Sequence, residues 1–312
     1  MEIVLPVVSS LLMLLCLWLK DLGETKVEFP VISFREITVA TQYFADSNIL
    51  GRGGFGNFYK GTLEGGTEIA VKRLSKSSGQ GLEEFRMKNL VKLLGCCTRG
   101  EEKILIYEYL PNKSLDAFRF NARKSMLDWP TRFKTIKGVA KGLLYLHQDS
   151  RLTVVHRDLK ASNKLLDADM SPKVSDFGMA MIFGSAQQQA NTNRLVGTYG
   201  YMSPEYALEG TCSVKSYISF GVLLLKIVSG LKISHPHRIT DFLNLIAFAW
   251  SSWKDQNTKD LVDSSISGSC SLDEISRCIH LGLLCVQDNP NSRPIENLHQ
   301  QYNINCSFFL RG

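Results

Sequence analysis

The sequence predicts an α+β fold in two lobes, with strands in its N-terminal part and helices in its C-terminal part. Short apolar runs that end at glycine-containing turns predict strands within residues 48–74, with a turn at 64–67. Residues 104–108 predict a further strand. From residue 129 onward the apolar positions recur instead at the helical period of about 3.6 residues. Strands followed by helices therefore predict an α+β arrangement.

The first long helix is predicted over residues 129–147, with Asp128 placed to cap its first turn. Its apolar residues recur three or four positions apart, at Phe133, Ile136, Ala140, Leu143, Leu144 and Leu146. Three later stretches, 220–228, 242–253 and 275–286, also have helical periodicity. At 312 residues and 44% hydrophobic composition, the chain can bury a substantial core, and one two-lobed domain is favoured over two independent domains.

Charge and cysteine content exclude two other classes of site. The net charge of +6 is not concentrated in a basic tract, so no nucleic-acid site is predicted. The eight cysteines lack paired metal-ligand spacing: Cys96 and Cys97 are adjacent, and Cys278 and Cys285 lie seven apart in an apolar helical pattern. Buried free thiols in a reducing compartment are therefore favoured over disulfides or zinc.

The most informative stretch is HRDLKASN at residues 156–163, with DFG at 176–178, thirteen residues after Asn163. It puts an acid, a lysine and an amide in one tight loop and a second acid on the next loop. Phosphoryl transfer needs such a set, since one carboxylate must orient the attacking hydroxyl. An amide and another carboxylate must hold the Mg²⁺ that neutralises the phosphates.

A glycine-rich loop, LGRGGFG at residues 50–56, lies upstream. On its own the G-x-G-x-x-G pattern fits either a dinucleotide-binding fingerprint or a kinase phosphate loop. Phe58 and Tyr59 follow it and predict a strand, where the dinucleotide pattern requires a helix. The next strand, EIAVK at residues 68–72, ends in a lysine that is predicted to contact the ATP phosphates.

Three further stretches complete the pattern: GCC at residues 95–97, LIYEYLPNKSL at 105–115 and GTYGYMSPEY at 197–206. With these motifs the chain resembles the plant receptor-like serine/threonine protein kinases, most of all the S-domain (S-locus or G-type lectin) class. The resemblance covers roughly residues 31–294. It implies a two-lobed protein-kinase fold that binds nucleotide between an N-lobe at 48–110 and a C-lobe at 111–294, followed by a divergent tail at 295–312.

The resemblance also implies roles for individual residues. Asp158 is expected to be the catalytic base and Lys160 to stabilise the transferring phosphoryl group, while Asn163 and Asp176 hold Mg²⁺. The residues expected to bind ATP are Leu50, Gly51, Gly53, Gly56, Phe58, Ala70, Lys72, Tyr107, Glu108 and Leu110.

Specificity and regulation follow from the same resemblance. Lys160 and Thr198 are typical of serine/threonine rather than tyrosine kinases. Arg157 indicates an activation loop ordered by phosphate, with Thr192 and Thr198 as candidate acceptors. The large-lobe ion pair of the family, a structural feature, is expected between Glu205 and Arg293.

The nucleotide-binding lobe departs from the family pattern twice. The stretch between Lys72 and residue 104 is about ten residues short, and Lys88 stands where a glutamate should pair with Lys72; Glu83 or Glu84 on a shortened helix is the alternative. Phe58 replaces the valine over the adenine ring and is expected to weaken ATP binding.

The large lobe departs as well. KSYISFG at residues 215–221 lacks an aspartate and one residue, so backbone donors of the catalytic loop are expected to lose their acceptor, at about 1–3 kcal/mol. Lys164 replaces a buried aliphatic residue, so its ammonium is expected to reach solvent or deform the strand. Lys226 replaces a glutamate.

Residues 3–19 form an almost unbroken apolar run, at the short end for a bilayer span. They lack the basic start and small residues of a cleaved signal peptide. We therefore expect residues 3–19 to be a transmembrane anchor, followed by a juxtamembrane segment at 20–47 and a cytosolic kinase. The resemblance implies that the membrane is the plasma membrane. The lectin-like extracellular region of the class is expected to be missing. The alternative is a truncated gene model, in which the true start of the protein lies far upstream.

Three hypotheses remain open from the sequence. The first is an active membrane-anchored serine/threonine kinase that uses Mg-ATP, phosphorylates protein substrates and pairs with a partner receptor kinase. The second is a pseudokinase that binds nucleotide or a partner without efficient transfer. The third is a decayed gene product that folds poorly.

Overall fold

The computed structural model describes residues 30–53, 56–75, 89–119, 127–150, 153–183, 189–193, 195–231, 239–266, 268 and 271–294. The chain forms two compact units that part between Tyr109 and Leu110, with residues 87–91 grouped in the second unit. The first unit is strand-rich and the second is helix-rich. The predicted order of the two lobes is confirmed.

The first unit contains a five-stranded antiparallel sheet in the order β1-β2-β3-β5-β4. Its strands are Ile49–Gly53 (β1), Gly56–Thr62 (β2), Glu68–Leu74 (β3), Leu93–Arg99 (β4) and Glu102–Glu108 (β5). Gly65 and Gly66 have positive φ in the β2–β3 turn, where the N–H of Leu63 donates to the Thr67 carbonyl. The strands and turn predicted within 48–74 and at 104–108 are confirmed, whereas β4 is not among the predictions because Gly95 interrupts its apolar run.

A short helix, Phe34–Ala40 (α1), packs on this sheet. It begins at Ser33, whose hydroxyl accepts the N–H of Glu36 at 3.2 Å. Ile37 is buried with Tyr59, Ile69, Val71, Cys97, Ile104 and Ile106. Because successive side chains of a strand point to opposite faces, Ala70 and Lys72 lie on the face away from this cluster.

The second unit is built around helices. They are Leu115–Arg119 (α2), Trp129–Leu144 (α3), Pro204–Glu209 (α4), Ile218–Ser229 (α5), Ile239–Lys254 (α6) and Leu272–Cys285 (α7). The Asp128 carboxylate accepts the N–H of Thr131 at 3.0 Å, so the predicted cap of α3 is confirmed. The predicted end at His147 differs, because α3 passes after Leu144 into a π-helical turn, Tyr145–Asp149.

Helix α5 is buried along its whole length. It lies so close to α7 that a Cβ added to Gly221 would come within 2.7 Å of the Gly282 carbonyl oxygen and of the Cys285 Cβ. Gly282 has the same constraint, since its added Cβ would lie 2.9 Å from a methyl of Leu225. The two glycines therefore set the separation of these helices.

Three short antiparallel pairs complete the second unit. Strands Thr153–Val155 (β6) and Met181–Phe183 (β9) pair, as do Lys164–Leu166 (β7) and Pro172–Val174 (β8), and Gln189–Asn191 (β10) and Thr211–Ser213 (β11). Residues 156–163 lie between β6 and β7, so these pairs flank the HRDLKASN loop.

Several predictions fall outside the described residues: the apolar segment 3–19, residues 20–29 of the juxtamembrane segment, the tail 295–312, and Glu83, Glu84 and Lys88. Of the helices that the structure describes, none is both long and apolar enough to span a bilayer. Within the same ranges the cysteines Cys96, Cys97, Cys212, Cys278 and Cys285 are free thiols.

Candidate active site

Asp158 is the centre of the predicted catalytic loop. Its side chain is 2% exposed, and its Oδ2 accepts hydrogen bonds from Lys160 Nζ and Asn163 Nδ2, both at 2.9 Å. Its Oδ1 accepts the hydroxyl of Thr198 at 2.6 Å. Lys160 Nζ also donates to the Thr198 hydroxyl at 3.3 Å. The acid, lysine and amide of HRDLKASN therefore converge, together with a threonine forty residues further on.

Burial opposes ionisation of the Asp158 carboxyl, but the Lys160 ammonium and the hydrogen bonds from Thr198 and Lys160 outweigh it. These groups hold the pKa of Asp158 below its ordinary value. Near neutral pH the group is thus a carboxylate, which can accept a hydrogen bond from a substrate hydroxyl.

His156 ties this loop to the DFG segment. Its Nε2 lies 2.9 Å from the Ser175 carbonyl oxygen, and its Nδ1 accepts the backbone N–H of Asp158 at 3.2 Å. Because the carbonyl oxygen can only accept, Nε2 must carry a proton, and because the amide N–H donates, Nδ1 must be unprotonated. The ring is therefore the neutral Nε2–H tautomer. Burial, followed by repulsion from Lys164, lowers the pKa of His156 to about 4, in agreement with a neutral ring.

Asn163 and Asp176 meet at one end of the β7–β8 pair. The Asn163 carbonyl accepts both the backbone N–H and the hydroxyl of Ser175, at 3.0 and 3.1 Å, and Ser175 directly precedes Asp176. Asp176 has φ of 62°, a left-handed conformation that turns the chain into the Phe177–Met179 3₁₀ helix. The Phe177 ring packs on His156 with centroids 4.8 Å apart.

These two side chains fit a magnesium site. Because the Asn163 amide nitrogen donates to Asp158, the amide oxygen is directed away from that carboxylate. An amide oxygen and one carboxylate are hard ligands, and Mg²⁺ commonly takes one or two carboxylates together with substrate phosphates. Among the described residues no group of three or more His, Cys, Asp or Glu could hold a metal by itself, so the nucleotide would have to complete the coordination.

Lys164 contradicts its prediction. It is 0% exposed, so it does not reach solvent, and β7 pairs regularly with β8 through Lys164 and Val174. Its Nζ makes long contacts to the carbonyl oxygens of Lys160 and Asn163, at 3.4 and 3.5 Å. Burial is the main cause that lowers its pKa to about 7, although attraction to Asp158 and Asp176 partly offsets it. The Asp158 and Asp176 carboxylates and these two carbonyl oxygens thus stabilise the Lys164 ammonium in place of water.

Replacement of this buried amine is expected to stabilise the protein in a pH-dependent way. Since its pKa falls from 10.5 to about 7 on folding, protonation favours the unfolded chain, and wild-type stability rises with pH from 7 towards 10.5. Lys164→Met should raise the free energy of unfolding at pH 6 by on the order of 2–4 kcal/mol, with the difference narrowing above pH 7. Urea unfolding at several pH values measures this.

The control is Lys141→Met on the exposed face of α3, expected within about 0.5 kcal/mol of wild type at every pH. A Lys164→Met variant that is less stable than wild type at pH 6 would contradict the prediction.

The predicted phosphate loop lies in the first unit, on the β1–β2 hairpin. Gly51 and Gly53 are in β1, Gly53 is the pairing partner of Gly56, and Leu50 is 45% exposed. Gly56 has φ of 136°, and an added Cβ would lie 2.0 Å from the Arg73 carbonyl oxygen. Only glycine fits there, because β2 passes close to the backbone of β3.

Lys72 lies on β3 with its side chain 1% exposed. Its β-sheet partners are Phe58 on β2 and Leu105 on β5, and its ammonium lies 4.9 Å from the centroid of the Phe58 ring. The substituted phenylalanine therefore contacts the amine that is expected to bind phosphate. Ala70, two residues earlier, is the partner of Tyr107.

The other residues predicted to contact adenine end β5 and follow it. Tyr107 and Glu108 are half-buried, and the Glu108 backbone N–H donates to the Lys92 carbonyl at 3.0 Å. The Glu108 carboxylate accepts the Lys92 N–H at 2.8 Å. Leu110 is buried at the start of the second unit. These bonds hold Glu108 at the edge of the sheet.

The two candidate phosphorylation sites occupy different surroundings. The Thr198 hydroxyl bonds Asp158 and Lys160, so a phosphate there would place negative charge against the catalytic carboxylate. Thr192 is half-buried near the β10–β11 pair, with its backbone N–H donating to the Gly210 carbonyl. Geometry thus favours Thr192 as the acceptor, and phosphorylation of either stays a prediction.

Arg293 is 1% exposed and forms a two-pronged ion pair with Glu205, at 2.6 and 2.9 Å. It also donates to the carbonyl oxygens of Lys215, Gln287 and Asp288. Burial alone would raise the pKa of Glu205, but the hydrogen bonds and positive charge of Arg293 hold it below its ordinary value.

Two arrangements near the site have no counterpart among the predictions. The Tyr217 hydroxyl lies 3.1 Å from Nδ1 of His147, at the position where the aspartate is missing. The backbone N–H of Asp158 has a partner within its own loop, Nδ1 of His156, while the expected loss of the aspartate as an acceptor stays a prediction. The hydroxyl of Tyr206 joins Arg157 to Val196. No local motif indicates such contacts, since they join distant parts of the chain.

Buried Lys226 also has a specific partner. Its Nζ donates to the Tyr201 hydroxyl at 2.8 Å and lies 5.2 Å from the ring centroid. The phenol oxygen accepts this bond, so it partly compensates the burial of the ammonium.

A strand-rich unit with a buried lysine, followed by a helical unit that joins Asp158, Lys160 and Asn163, defines a protein kinase domain. The chain belongs to the protein tyrosine and serine/threonine kinase family, whose sequence profile matches residues 45–301.

Its relatives are plant receptor-like kinases. The chain is 56% identical to cysteine-rich receptor-like protein kinase 10 of Arabidopsis thaliana over 275 residues, 84% of this chain and 41% of that protein. It is 57% identical to G-type lectin S-receptor-like serine/threonine-protein kinase B120 of the same plant over 279 residues, 86% of this chain and 33% of that protein. The chain thus spans 33–41% of the length of these relatives. It matches both receptor classes similarly, which confirms the receptor-like serine/threonine kinase class.

Proposed function

We propose that this chain transfers the γ-phosphate of Mg-ATP to serine or threonine hydroxyls of protein substrates. The observation that carries the proposal is the convergence of Lys160, Asn163 and Thr198 on the Asp158 carboxylate. Such a carboxylate can orient a substrate hydroxyl, while the neighbouring ammonium offsets charge on the phosphoryl group.

Each remaining residue has a defined task. Asn163 and Asp176 would hold Mg²⁺, which neutralises charge on the phosphates when it is bound. Lys72 would bind the phosphates, and the Gly51–Gly56 backbone amides would cover them. Thr198 bonds Asp158 Oδ1, so a substrate hydroxyl would bind to the Asp158 carboxylate beside Thr198.

The test is incubation of the full chain with radiolabelled Mg-ATP and a generic basic protein substrate, followed by phosphoamino-acid analysis. Phosphoserine or phosphothreonine is expected. Absence of incorporation by a folded chain, or phosphotyrosine alone, would reject the proposal.

A pseudokinase is the second candidate function, and one observation favours it. Tyr217 stands where the family pattern has an aspartate, and its hydroxyl bonds His147. A thermal shift with Mg-ATP, combined with no transfer, would favour this alternative.

Restoration of the valine over adenine is expected to tighten nucleotide binding. Phe58 adds bulk to that position, and its ring holds the Lys72 ammonium by a cation–π contact. That contact contributes about 0.5–2 kcal/mol, so Phe58→Val should lower the Kd for Mg-ATP by about three- to tenfold. Phe58→Leu, which keeps bulk without a π face, separates the two causes. An unchanged Kd in Phe58→Val would contradict the prediction; calorimetric titration measures it.

We also propose that residues 3–19 anchor the kinase at the plasma membrane, with the catalytic units in the cytosol and a receptor kinase as partner. Support comes from the apolar run and from the receptor-like names of the relatives. Release of the full chain from plant membranes by alkaline carbonate would reject the anchor.

A further inference from the structure

The hydroxyl of Tyr206, in the first turn of α4, joins two segments that each lie next to Asp158. It accepts hydrogen bonds from Nη1 of Arg157 at 3.0 Å and from the backbone N–H of Val196 at 2.9 Å. It also donates a hydrogen bond to the Val196 carbonyl oxygen at 2.9 Å. Its side chain is 3% exposed. One buried hydroxyl therefore makes three hydrogen bonds.

These bonds close a ring around the catalytic carboxylate. Arg157 precedes Asp158 in the chain. Val196 lies two residues before Thr198, whose hydroxyl donates to Asp158 Oδ1 at 2.6 Å. Tyr206 thus links the covalent neighbour of Asp158 to its hydrogen-bond donor.

Two further contacts make the ring tight. A Cβ added to Gly197, between Val196 and Thr198, would lie 3.3 Å from the Arg157 carbonyl oxygen, so this segment passes directly beside Arg157. The Arg157 backbone has φ of 63°, a conformation that non-glycine residues adopt only when the surroundings hold it.

The Tyr206 ring is itself fixed by packing. It is buried with Val155 on β6, Phe183 on β9 and Cys212 on β11. Because β6 leads directly into the catalytic loop, the phenol is anchored to the same framework that carries Asp158. Its hydroxyl is therefore preorganised before substrate binds.

We propose that Tyr206 is a positioning residue, which sets the Thr198–Asp158 contact through Val196 and Arg157 and so aligns the carboxylate with the acceptor hydroxyl. This role rests on the proposed kinase function. Because the Tyr206 side chain is 3% exposed and its hydroxyl bonds Arg157 and Val196, its loss should lower kcat and leave the KM for ATP unchanged.

The experiment compares Tyr206→Phe with Tyr59→Phe in the full chain. Tyr59 is a matched control, since it is also buried and its hydroxyl accepts a side-chain bond, from Asn57. Removal of the Tyr206 hydroxyl should lower kcat about three- to tenfold, the change that corresponds to loss of about one net hydrogen bond. Tyr59→Phe should stay within about twofold of wild type.

A double-mutant cycle with Thr198→Ala separates positioning from a general loss of stability. If Tyr206 acts through Thr198, Tyr206→Phe should cost less than about twofold in kcat when Thr198 is already alanine. A full loss in that background, or a kcat for Tyr206→Phe within twofold of wild type, would overturn the role.

Amide hydrogen exchange supplies a readout that does not depend on activity. Exchange at residues 195–198 should be faster in Tyr206→Phe than in Tyr59→Phe, and equal rates would overturn the proposal. If wild type transfers no phosphate but this difference appears, the kinase function fails while the structural link stands.

Discussion

Asp158→Asn should lower kcat for phosphoryl transfer by about 10²–10⁴-fold, the range expected when a positioned acid–base group is removed. The amide keeps the size of the side chain but loses the negative charge that Lys160, Asn163 and Thr198 now surround. It can no longer accept the proton of a substrate hydroxyl. Initial-rate measurements with saturating Mg-ATP test this prediction.

Two comparisons make that result specific. Asp169→Asn, at an exposed position in the turn before β8, should retain the wild-type rate within about twofold. Nucleotide affinity of Asp158→Asn should also remain close to that of wild type, because the proposed role of Asp158 is to bind the acceptor hydroxyl and not the nucleotide. Substantial activity in Asp158→Asn would show that another group is the base.

Arg293→Ala should reduce the free energy of unfolding by about 3–5 kcal/mol. The variant leaves the Glu205 carboxylate and three carbonyl oxygens without their buried donor. Loss of one partner from a buried pair costs more than the pair contributes, since the remaining Glu205 side chain, 12% exposed, has little access to solvent. Chemical denaturation followed by tryptophan fluorescence measures the change.

The matched control is Arg73→Ala. Arg73 also forms a two-pronged ion pair, with Glu102, but the two side chains are 40% and 35% exposed. That pair is screened by solvent, so its loss should cost about 1 kcal/mol or less. Similar effects for Arg293 and Arg73 would contradict the assigned importance of burial.

The Glu205–Arg293 pair also predicts that the folded protein loses stability at acidic pH. The folded-state pKa of Glu205 lies below its ordinary value of 4.5, so the stabilisation is present above that value and is lost as the pH falls through the folded-state pKa. Glu205→Gln should therefore flatten the loss of stability at acidic pH.

Much of this fold could be predicted from the sequence because the relevant signals are local. Short apolar runs and a glycine turn predicted β2, β3 and β5, and the 3.6-residue period with Asp128 predicted the start of α3. The catalytic loop and DFG segment likewise lie within short motifs, and the β7–β8 pair brings them together.

What the sequence could not predict depends on contacts between distant segments. The burial of Lys164 was misjudged because an isolated ammonium in an aliphatic position has no visible compensation, whereas the fold supplies Asp158 and Asp176. Tyr206 meets Arg157 forty-nine positions away, and Tyr217 meets His147 seventy positions away. Contacts between such distant residues can be identified only from the folded structure.

Helix α5 has no solvent-facing side, and this limits where the chain can gain or lose residues. Each residue advances an α-helix by about 100°, so a deletion within Ile218–Ser229 would rotate every later side chain into a neighbour of the wrong shape. Relative to the family pattern, the chain lacks one residue before Phe220, and this deletion can be tolerated only at the start of the helix. Tyr217 lies at that position, as the residue before Ile218. Length variation in related chains should accumulate at this junction and spare the helix that follows it.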